Sequence, residues 1–577
     1  MTTSGGSRLL RQLARLYGVQ TAYYDVSHHR RPASDEALLA VLRHMGASVA
    51  TPTDVAPALR ERRQALWHRP VEPVAVAWGD EPLVMELRLP ARMADAALRG
   101  HLALESGEKM DLAWRGTDLP VTRSEEVEGV SYVAKSLPLP DRLPQGYHRF
   151  VLDAPLEPAK TLVIVSPQRA YAHPNQDRGR IWGTFLPLYA LRRKGGWGIG
   201  SLSDLEALME WTAALGGRTV ATLPFLATFL DEPFDPSPYA PVSRLMWNEL
   251  YLDVTRIPEM VNCLLAQDML ASSSFQADIR ALDSSPMVDY RRVAALKRQV
   301  LEQLARSCFA DAPDRLQGLE RFAEANPVLG DYARFRAVLH RQQRPWRSWP
   351  QPLRGGLVEE GDCDKEVERY HLYVQWLAHQ QIQTLAELGK KQGLALYTDM
   401  PLGVHPDGYD VWRQQELFAL DVAAGAPPDT FFTRGQNWGF PPLHPDRLRE
   451  QGYRYFLACV RHQLRYAGIL RLDHVMGFHR LFWIPAGMEP REGVYVRYRP
   501  DEFYAILALE SHRSGAVIVG EDLGTVPPAV RPAMARHGIH GTYVVQYECT
   551  PDLRSPLRGV PRFSVASLNT HDMPTFS

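Results

Sequence analysis

Arg471-Leu472-Asp473-His474 closes a short apolar run, Ala467-Gly468-Ile469-Leu470. Such a run, bounded by polar residues, describes a buried strand. A charged pair at the carboxyl end of a buried strand is costly unless it faces a polar site. Arg471 and Asp473 are two apart, so on a strand they point the same way. A guanidinium beside a carboxylate favours the ionised acid. An ionised carboxylate held at a strand end is what a nucleophile requires.

The pattern recurs. Val517-Ile518-Val519-Gly520 runs into Glu521-Asp522, and Val565-Ala566-Ser567-Leu568-Asn569 runs into Thr570-His571-Asp572. Upstream, Leu394-Ala395-Leu396-Tyr397-Thr398 ends in Asp399. Strands that each end in an acid fit a (β/α)8 barrel, whose catalytic groups come from the carboxyl ends of several strands. Two or three carboxylates meeting there point to glycoside chemistry, in which one attacks and another protonates.

Working outward, Phe185-Leu186-Pro187-Leu188-Tyr189 reads as the first barrel strand, Thr219 to Leu223 as the second and Thr542 to Gln546 as the sixth. A helix through Leu205, Leu208 and Trp211 begins at Ser203 and Asp204, and another spans Val367 to Leu388. Residues 256–355 are mostly helical, too long a run for one crossover, and read as an insertion. Residues 400–450 read as a long loop with short helices. Its tip, Gly435-Gln436-Asn437-Trp438-Gly439, offers amide hydrogen bonds beside a stacking face. Gly195-Gly196-Trp197-Gly198-Ile199-Gly200 is not a dinucleotide loop, because Ser203 stands at the third glycine position; it reads as a tight sugar-site loop. Arg491 to Arg499, with Arg480 upstream, reads as a solvated loop. His474 and His479 are off helical register and lack an acid at metal-site spacing, so they read as structural.

Residues 1–70 read as helical, with Leu9, Leu10, Leu13 and Tyr17 at helix spacing and Ser34 as a cap before Leu38, Leu39, Leu42 and Met45. Residues 71–168 carry short alternating runs, such as Leu83 to Leu89 and Leu162 to Val165, and read as a β-sandwich domain. A polar linker, Gln168 to Arg180, leads into a barrel domain over 175–577.

The bulk numbers exclude some classes. A net charge of −1 over 577 residues gives no electrostatic case for nucleic acid or an acidic membrane. Five scattered cysteines without CxxC spacing argue against a disulfide framework or zinc site and fit a reducing, cytoplasmic setting. No apolar stretch approaches the roughly 20 residues of a membrane helix. Thirteen Trp, 23 Tyr and 19 Phe suit sugar stacking and a large core equally.

Together these motifs make the chain resemble amylomaltases, the 4-α-glucanotransferases of glycoside hydrolase family 77. Arg471-Leu472-Asp473, Gly520-Glu521-Asp522-Leu523-Gly524 and Thr570-His571-Asp572 are similar to the family's three core motifs. Ser237-Pro238-Tyr239, Ser243 to Asn248, Asp399-Met400-Pro401 and Gly435 to Gly439 add to the likeness. The resemblance implies α-1,4-glucans as partners, no metal or organic cofactor, and a retaining double displacement. By it Asp473 is the nucleophile, Glu521 the acid and base, and Asp572 the third acid that grips sugar hydroxyls; Glu521 follows an apolar strand, so desolvation would raise its pKa. Arg471, His571, Asp399, Tyr239, Trp438, Gln436 and Asn437 are implied substrate-binding residues. The 400–450 loop is implied to exclude water. Against this stand plainer readings: an ion pair for Asp473, core packing for His571, Tyr239, Trp438 and Trp197. An α-glucan hydrolase or a non-catalytic glucan-binding protein are the competing functions. The resemblance also implies a barrel truncated before its eighth strand, since Ser577 lies five residues after Asp572. Such a barrel would expose the edges of strands one and seven.

Overall fold

Ser34 Oγ accepts a hydrogen bond from the Ala37 N–H at 3.0 Å and so opens the helix Asp35–His44. Helices Ser4–Leu16 and Val55–His68 flank it in the chain, and Leu10, Leu13, Leu38, Leu42 and Leu59 are buried. The helical reading of this region missed an antiparallel hairpin, Ala22–Tyr24 with Arg30–Pro32. The cause is local: the Asp25 carboxylate accepts from the Ser27 and His29 N–H groups and turns the chain.

The computed structural model describes residues 4–154, 158–172 and 180–573. It divides into two compact units interleaved along the chain, one of Met1–Ala172, Glu416–Val460 and His474–Ser577, the other of His173–Gln415 and Arg461–Asp473.

In the first unit, the alternating runs build a sandwich. One sheet orders Val74–Trp78, Ala159–Ser166, Gly146–Ala154, Ala97–Ala103 and Lys109–Arg115; the other orders Val84–Pro90, Val130–Pro138 and Val121–Val127. Met85, Leu87 and Leu89 point inward to one core with Leu98, Leu102, Phe150 and Val163. Arg449 ties the sandwich to the helix Pro500–Ser514 by bonding both Glu72 and Glu502.

The second unit holds four parallel strands: β1 (Gly183–Phe185), β2 (Thr219–Ala221), β3 (Ala395–Met400) and β4 (Ile469–Leu472). The first starts two residues earlier than its sequence indicated. Pro187 opens a turn of 3-10 helix over Leu188–Ala190, which buries Leu188 without extending the strand. The following helix, Leu202–Ala214, is capped by Ser201 and Asp204 in a capping box rather than started at Ser203. Gly198 and Gly200 answer to packing: a Cβ at Gly200 would lie 2.1 Å from the Leu188 carbonyl oxygen, and one at Gly198 2.5 Å from that of Leu282. Trp197 packs edge-on against Phe275. Between β2 and β3 lie helices over Leu264–Ala271, Ser273–Ser284, Tyr290–Asp311, Pro313–Ala325 and Pro327–Gln342, then the long helix Lys365–Gln392. The apolar faces of all of these but Pro327–Gln342 share a core with Leu205, Val220 and Leu396.

Three more strands belong to the first unit: β5 (Val517–Gly520), β6 (Gly541–Val544) and β7 (Ser564–Ser567). Val519 bridges His540 in parallel, and β6 pairs with β7 in parallel. This is the strand-after-helix order of a (β/α) barrel, and among the described residues no sheet closes on itself. The same unit corrects the 400–450 loop and the arginine-rich loop. Gln436–Asn437, Val422–Ala426, Arg480–Pro485 and Val494–Arg497 form an antiparallel sheet in that order. Phe482, Ile484 and Tyr495 bury beneath it.

Candidate active site

β3 and β4 run parallel with Asp399 opposite Arg471 in register. Their side chains therefore meet at the carboxyl ends of the two strands. Arg471 Nη1 lies 2.8 and 2.7 Å from the two Asp399 carboxylate oxygens and 3.2 Å from Asp473 Oδ1. Tyr239 completes the group by donating its hydroxyl to Asp399 Oδ2 at 2.8 Å. Asp399 is 4% exposed, whereas the Asp473 side chain keeps a quarter of its surface open (25%). One carboxylate is thus a buried anchor and the other reaches a solvent-facing position. Burial pushes the Asp399 carboxyl up, and the nearby Asp473 charge adds to this, against the pull of Arg471 and Tyr239. The same buried setting pushes the Tyr239 hydroxyl well above its ordinary value, so it stays a donor. The Asp473 N–H is spent on the Met400 carbonyl at 3.1 Å, which fixes the turn out of β4.

Behind this group sits a brace that the sequence did not single out. Asp410 accepts from Ser243 Oγ at 2.6 Å and from the Arg244 N–H at 2.8 Å. Arg244 in turn donates to the carbonyls of Pro401 and Leu402, the segment leaving β3. Asn248 Oδ1 accepts from the Leu250 N–H and its amide donates to Thr228. The Ser243-to-Asn248 motif therefore acts in this unit by holding loops.

In the other unit, Glu521 ends β5 half-buried. Its carboxylate accepts from the His474 N–H at 3.1 Å and the Leu523 N–H at 2.6 Å. The Val475 N–H donates to the Glu521 carbonyl at 3.0 Å. Glu521 is thereby tied to the two residues that follow Asp473 in the chain. His474 takes a left-handed backbone (φ 49°) to make this turn, a strained conformation for a residue with a Cβ. Asp522 fixes the loop from the far side. It accepts from the Thr542 N–H and Oγ1, each at 2.8 Å, and from Arg531 Nε at 2.8 Å. Its role had no sequence signal beyond adjacency to Glu521.

Trp438 lies edge-on to the His474 ring, with centroids 5.0 Å apart, and stacks on Phe440. Its indole N–H points to Gln436 Oε1 at 3.3 Å, and Asn437 Oδ1 accepts from the Gly439 N–H. His571 Nε2 is 3.3 Å from Asp572 Oδ2, and the Asp572 side chain is 78% exposed. His479 bonds the Tyr504 hydroxyl. Among the described residues no three His, Cys, Asp or Glu side chains converge as a metal site would require. No helix among them is long and apolar enough to cross a membrane.

Carboxylates at the ends of parallel strands, one of them accepting a hydrogen bond from a phenol, define a carbohydrate-acting enzyme of the (β/α) barrel class. Residues 186–577 match the model of the 4-alpha-glucanotransferase family, glycoside hydrolase family 77, and the chain belongs to that family. Residues 70–167 match the MalQ N-terminal beta sandwich domain. The 4-alpha-glucanotransferase of Mycobacterium tuberculosis is 33% identical over 593 aligned residues, covering 98% of this chain and 79% of the relative. That of Haemophilus influenzae is 31% identical, covering 86% of this chain and 76% of the relative. The crystal structure of amylomaltase from Corynebacterium glutamicum superposes with a TM-score of 0.84 at 28% identity, over 99% of this chain and 80% of that one.

Proposed function

We propose that this chain transfers α-1,4-glucan segments between maltooligosaccharides, or from starch- and glycogen-like donors, by a retaining double displacement. The observation that carries the reading is the single Arg471 guanidinium bonded to both Asp399 and Asp473. It holds the Asp473 carboxylate from one side, as a strand-end nucleophile must be held.

In the first half-reaction an Asp473 oxygen bonds to the anomeric carbon of the donor. The glycosidic C–O bond breaks, its electron pair passes to the leaving oxygen, and Glu521 supplies that oxygen's proton. In the second, Glu521 takes the proton from an acceptor sugar hydroxyl. The hydroxyl oxygen bonds to the anomeric carbon as the bond to Asp473 breaks. Asp572 and His571 would grip hydroxyls of the sugar bound at the reacting position. Asp399 and Arg471 would meet its other polar edge, while Tyr239 and Trp438 stack on glucose rings. Gln436 and Asn437 would bond a glucan lying along their strand. The reaction as written needs no metal or organic cofactor. Water must lose to the sugar acceptor for transfer to prevail, and the segment around Trp438 is our candidate for excluding it.

On the same reading residues 1–70, 71–168 and 175–577 are separate domains, and the last carries the chemistry. Five cysteines, none in a disulfide, support work in a reducing compartment such as the cytoplasm.

Incubation with maltotriose, with products resolved by chain length, tests the reading. A ladder of longer maltooligosaccharides plus glucose is the expected result, and Asp473→Asn and Glu521→Gln each abolish it. Products that only shorten would make the protein a hydrolase instead. An unchanged ladder in Asp473→Asn would remove the proposed nucleophile.

A further inference from the structure

A cavity of about 710 Å³ lies within the first unit, and none of the strand-end acids lines it. Its walls are the N-terminal segment from Gly18 to Asp25, the start of the antiparallel sheet at Arg480 and Arg497, and the loop Thr525 to Pro528. The N-terminal segment is held there by backbone bonds: the Arg497 N–H to the Gly18 carbonyl at 3.0 Å and the Gln20 N–H to the Tyr495 carbonyl at 2.8 Å.

The charge in this cavity is unbalanced. Arg15, Arg480 and Arg497 line it, and Asp25 is the only acid among the described lining residues. Asp25 is already engaged by Arg31 Nε at 2.8 Å and by two backbone N–H groups. Arg480 and Arg497 are register partners on antiparallel strands, so their side chains share one face. Like charges placed directly opposite destabilise a sheet. Arg480 has only neutral company among the described residues: the Gln20 amide oxygen at 3.0 Å and the face of Tyr495, with the guanidinium 3.9 Å from the ring centroid. Its Nε is buried with no hydrogen-bond partner. Burial, together with the Arg497 charge, pushes the Arg480 guanidinium below its ordinary value. Among the described residues, a buried arginine nitrogen without a hydrogen-bond partner, opposite the exposed Arg497, is a cost that an anion would remove.

We propose that this cavity binds a hexose phosphate, the phosphate seated between Arg480 and Arg497 and the sugar against the tyrosines. Two guanidinium forks match phosphate geometry better than any other side chains. The volume is far more than a bare phosphate fills and lies in the range of small-molecule sites. Tyr23 and Tyr24 supply ring faces, and Gln20, Thr21 and Thr525 supply hydroxyl partners. The site shares no residue with the proposed chemistry, so it stands whether or not the transfer reading does. Its wall at Thr525 follows Glu521 by four residues, so an occupied cavity would stiffen the loop that leaves β5.

Isothermal titration of the full chain at fixed ionic strength tests the assignment, using glucose 6-phosphate, inorganic phosphate and glucose as separate probes. Saturable binding of glucose 6-phosphate, weaker binding of phosphate and none of glucose is the expected order. Arg497→Gln and Arg480→Gln each weaken it about tenfold or more, the factor one charge-assisted hydrogen bond carries. Because each variant relieves a like-charge contact, its unliganded melting temperature stays level or rises. No saturable heat, or equal affinity in both variants, overturns the proposal. Phosphate binding as tightly as glucose 6-phosphate removes the sugar from it, and glucose binding as tightly as its phosphate removes the anion.

Discussion

Replacing Arg449 by methionine leaves the buried Glu502 and the half-buried Glu72 without their shared counter-ion. Arg449 Nη1 lies 2.7 Å from Glu72, and its Nε lies 3.0 Å from each Glu502 oxygen. Tyr453 donates to Glu502 at 2.7 Å, and Arg88 gives Glu72 a second guanidinium at 2.8 Å. Burial disfavours the ionised Glu72, yet Arg449 and Arg88 together outweigh it and hold its carboxyl down at about 2, against 4.5. At ~1.36 kcal/mol per pH unit, that difference is worth about 3 kcal/mol of stability at neutral pH. A lowered acid contributes fully above its unfolded value and loses the contribution as pH falls, here between 4.5 and about 2. Glu502 has the opposite sign. Burial already pushes its carboxyl up, with Arg449 the main restraint. Without that restraint it holds a proton nearer neutrality and loses stability as pH rises. Both effects widen the gap between native protein and Arg449→Met as pH climbs. Breaking a buried pair on one side costs ~3–5 kcal/mol. Equilibrium urea unfolding followed by tryptophan fluorescence should therefore give a gap of about 4 kcal/mol near neutral pH, shrinking to about 1 kcal/mol near pH 3. A gap that is constant with pH, or already below about 1 kcal/mol at neutrality, refutes the reasoning.

Tyr239→Phe removes a donor to a buried carboxylate, worth ~1.5–3 kcal/mol; unfolding free energy and kcat/KM for maltotriose should both fall, and loss of neither would mean that Asp399 does not depend on the hydroxyl. Asp522→Asn loosens the loop carrying Glu521, so kcat for transfer should drop about tenfold while KM holds, a split that steady-state kinetics reads directly; a change in KM alone would contradict a positioning role. Lys297 is buried with its ammonium on the Leu250 and Leu252 carbonyls, and burial pushes it down to about 8 from 10.5. Between those values the unfolded chain holds the proton and the folded one does not. Stability should thus rise by about 3 kcal/mol across that window, and Lys297→Met should lack the rise.

The strand-end acids were legible because period-two spacing and a buried apolar run leave few alternatives. β4 and β5 fall within two residues of their sequence reading, and Arg471 and Asp473 do meet on one side. The Ser34 cap was legible for the same local reason. What escaped was everything set by distant partners. The sheet that joins Val422–Ala426 to Arg480–Pro485 pairs segments over fifty residues apart, through short strands such as Gln436–Asn437 that carry no run long enough to register. The glycines of the Gly195-to-Gly200 loop looked like a ligand loop, yet their reason at Gly198 and Gly200 is contact with backbone carbonyls. Asp522 and Asp410 were invisible as braces because Thr542, Arg531 and Ser243 reach them from elsewhere in the chain.

The interleaving of the two units has a consequence for synthesis. The sandwich is complete by Ser166, but the Ala505 carbonyl that Ser166 bonds lies 339 residues further along. Trp78, which stacks on His537, waits longer still. At ~5–20 residues per second a ribosome needs roughly 20–70 s to deliver that helix. For that interval the docking face of a folded sandwich stands bare, with nothing yet made to cover it. The nascent chain is then most open to association with its neighbours on a polysome, and a chaperone acting on this protein would find its surface there.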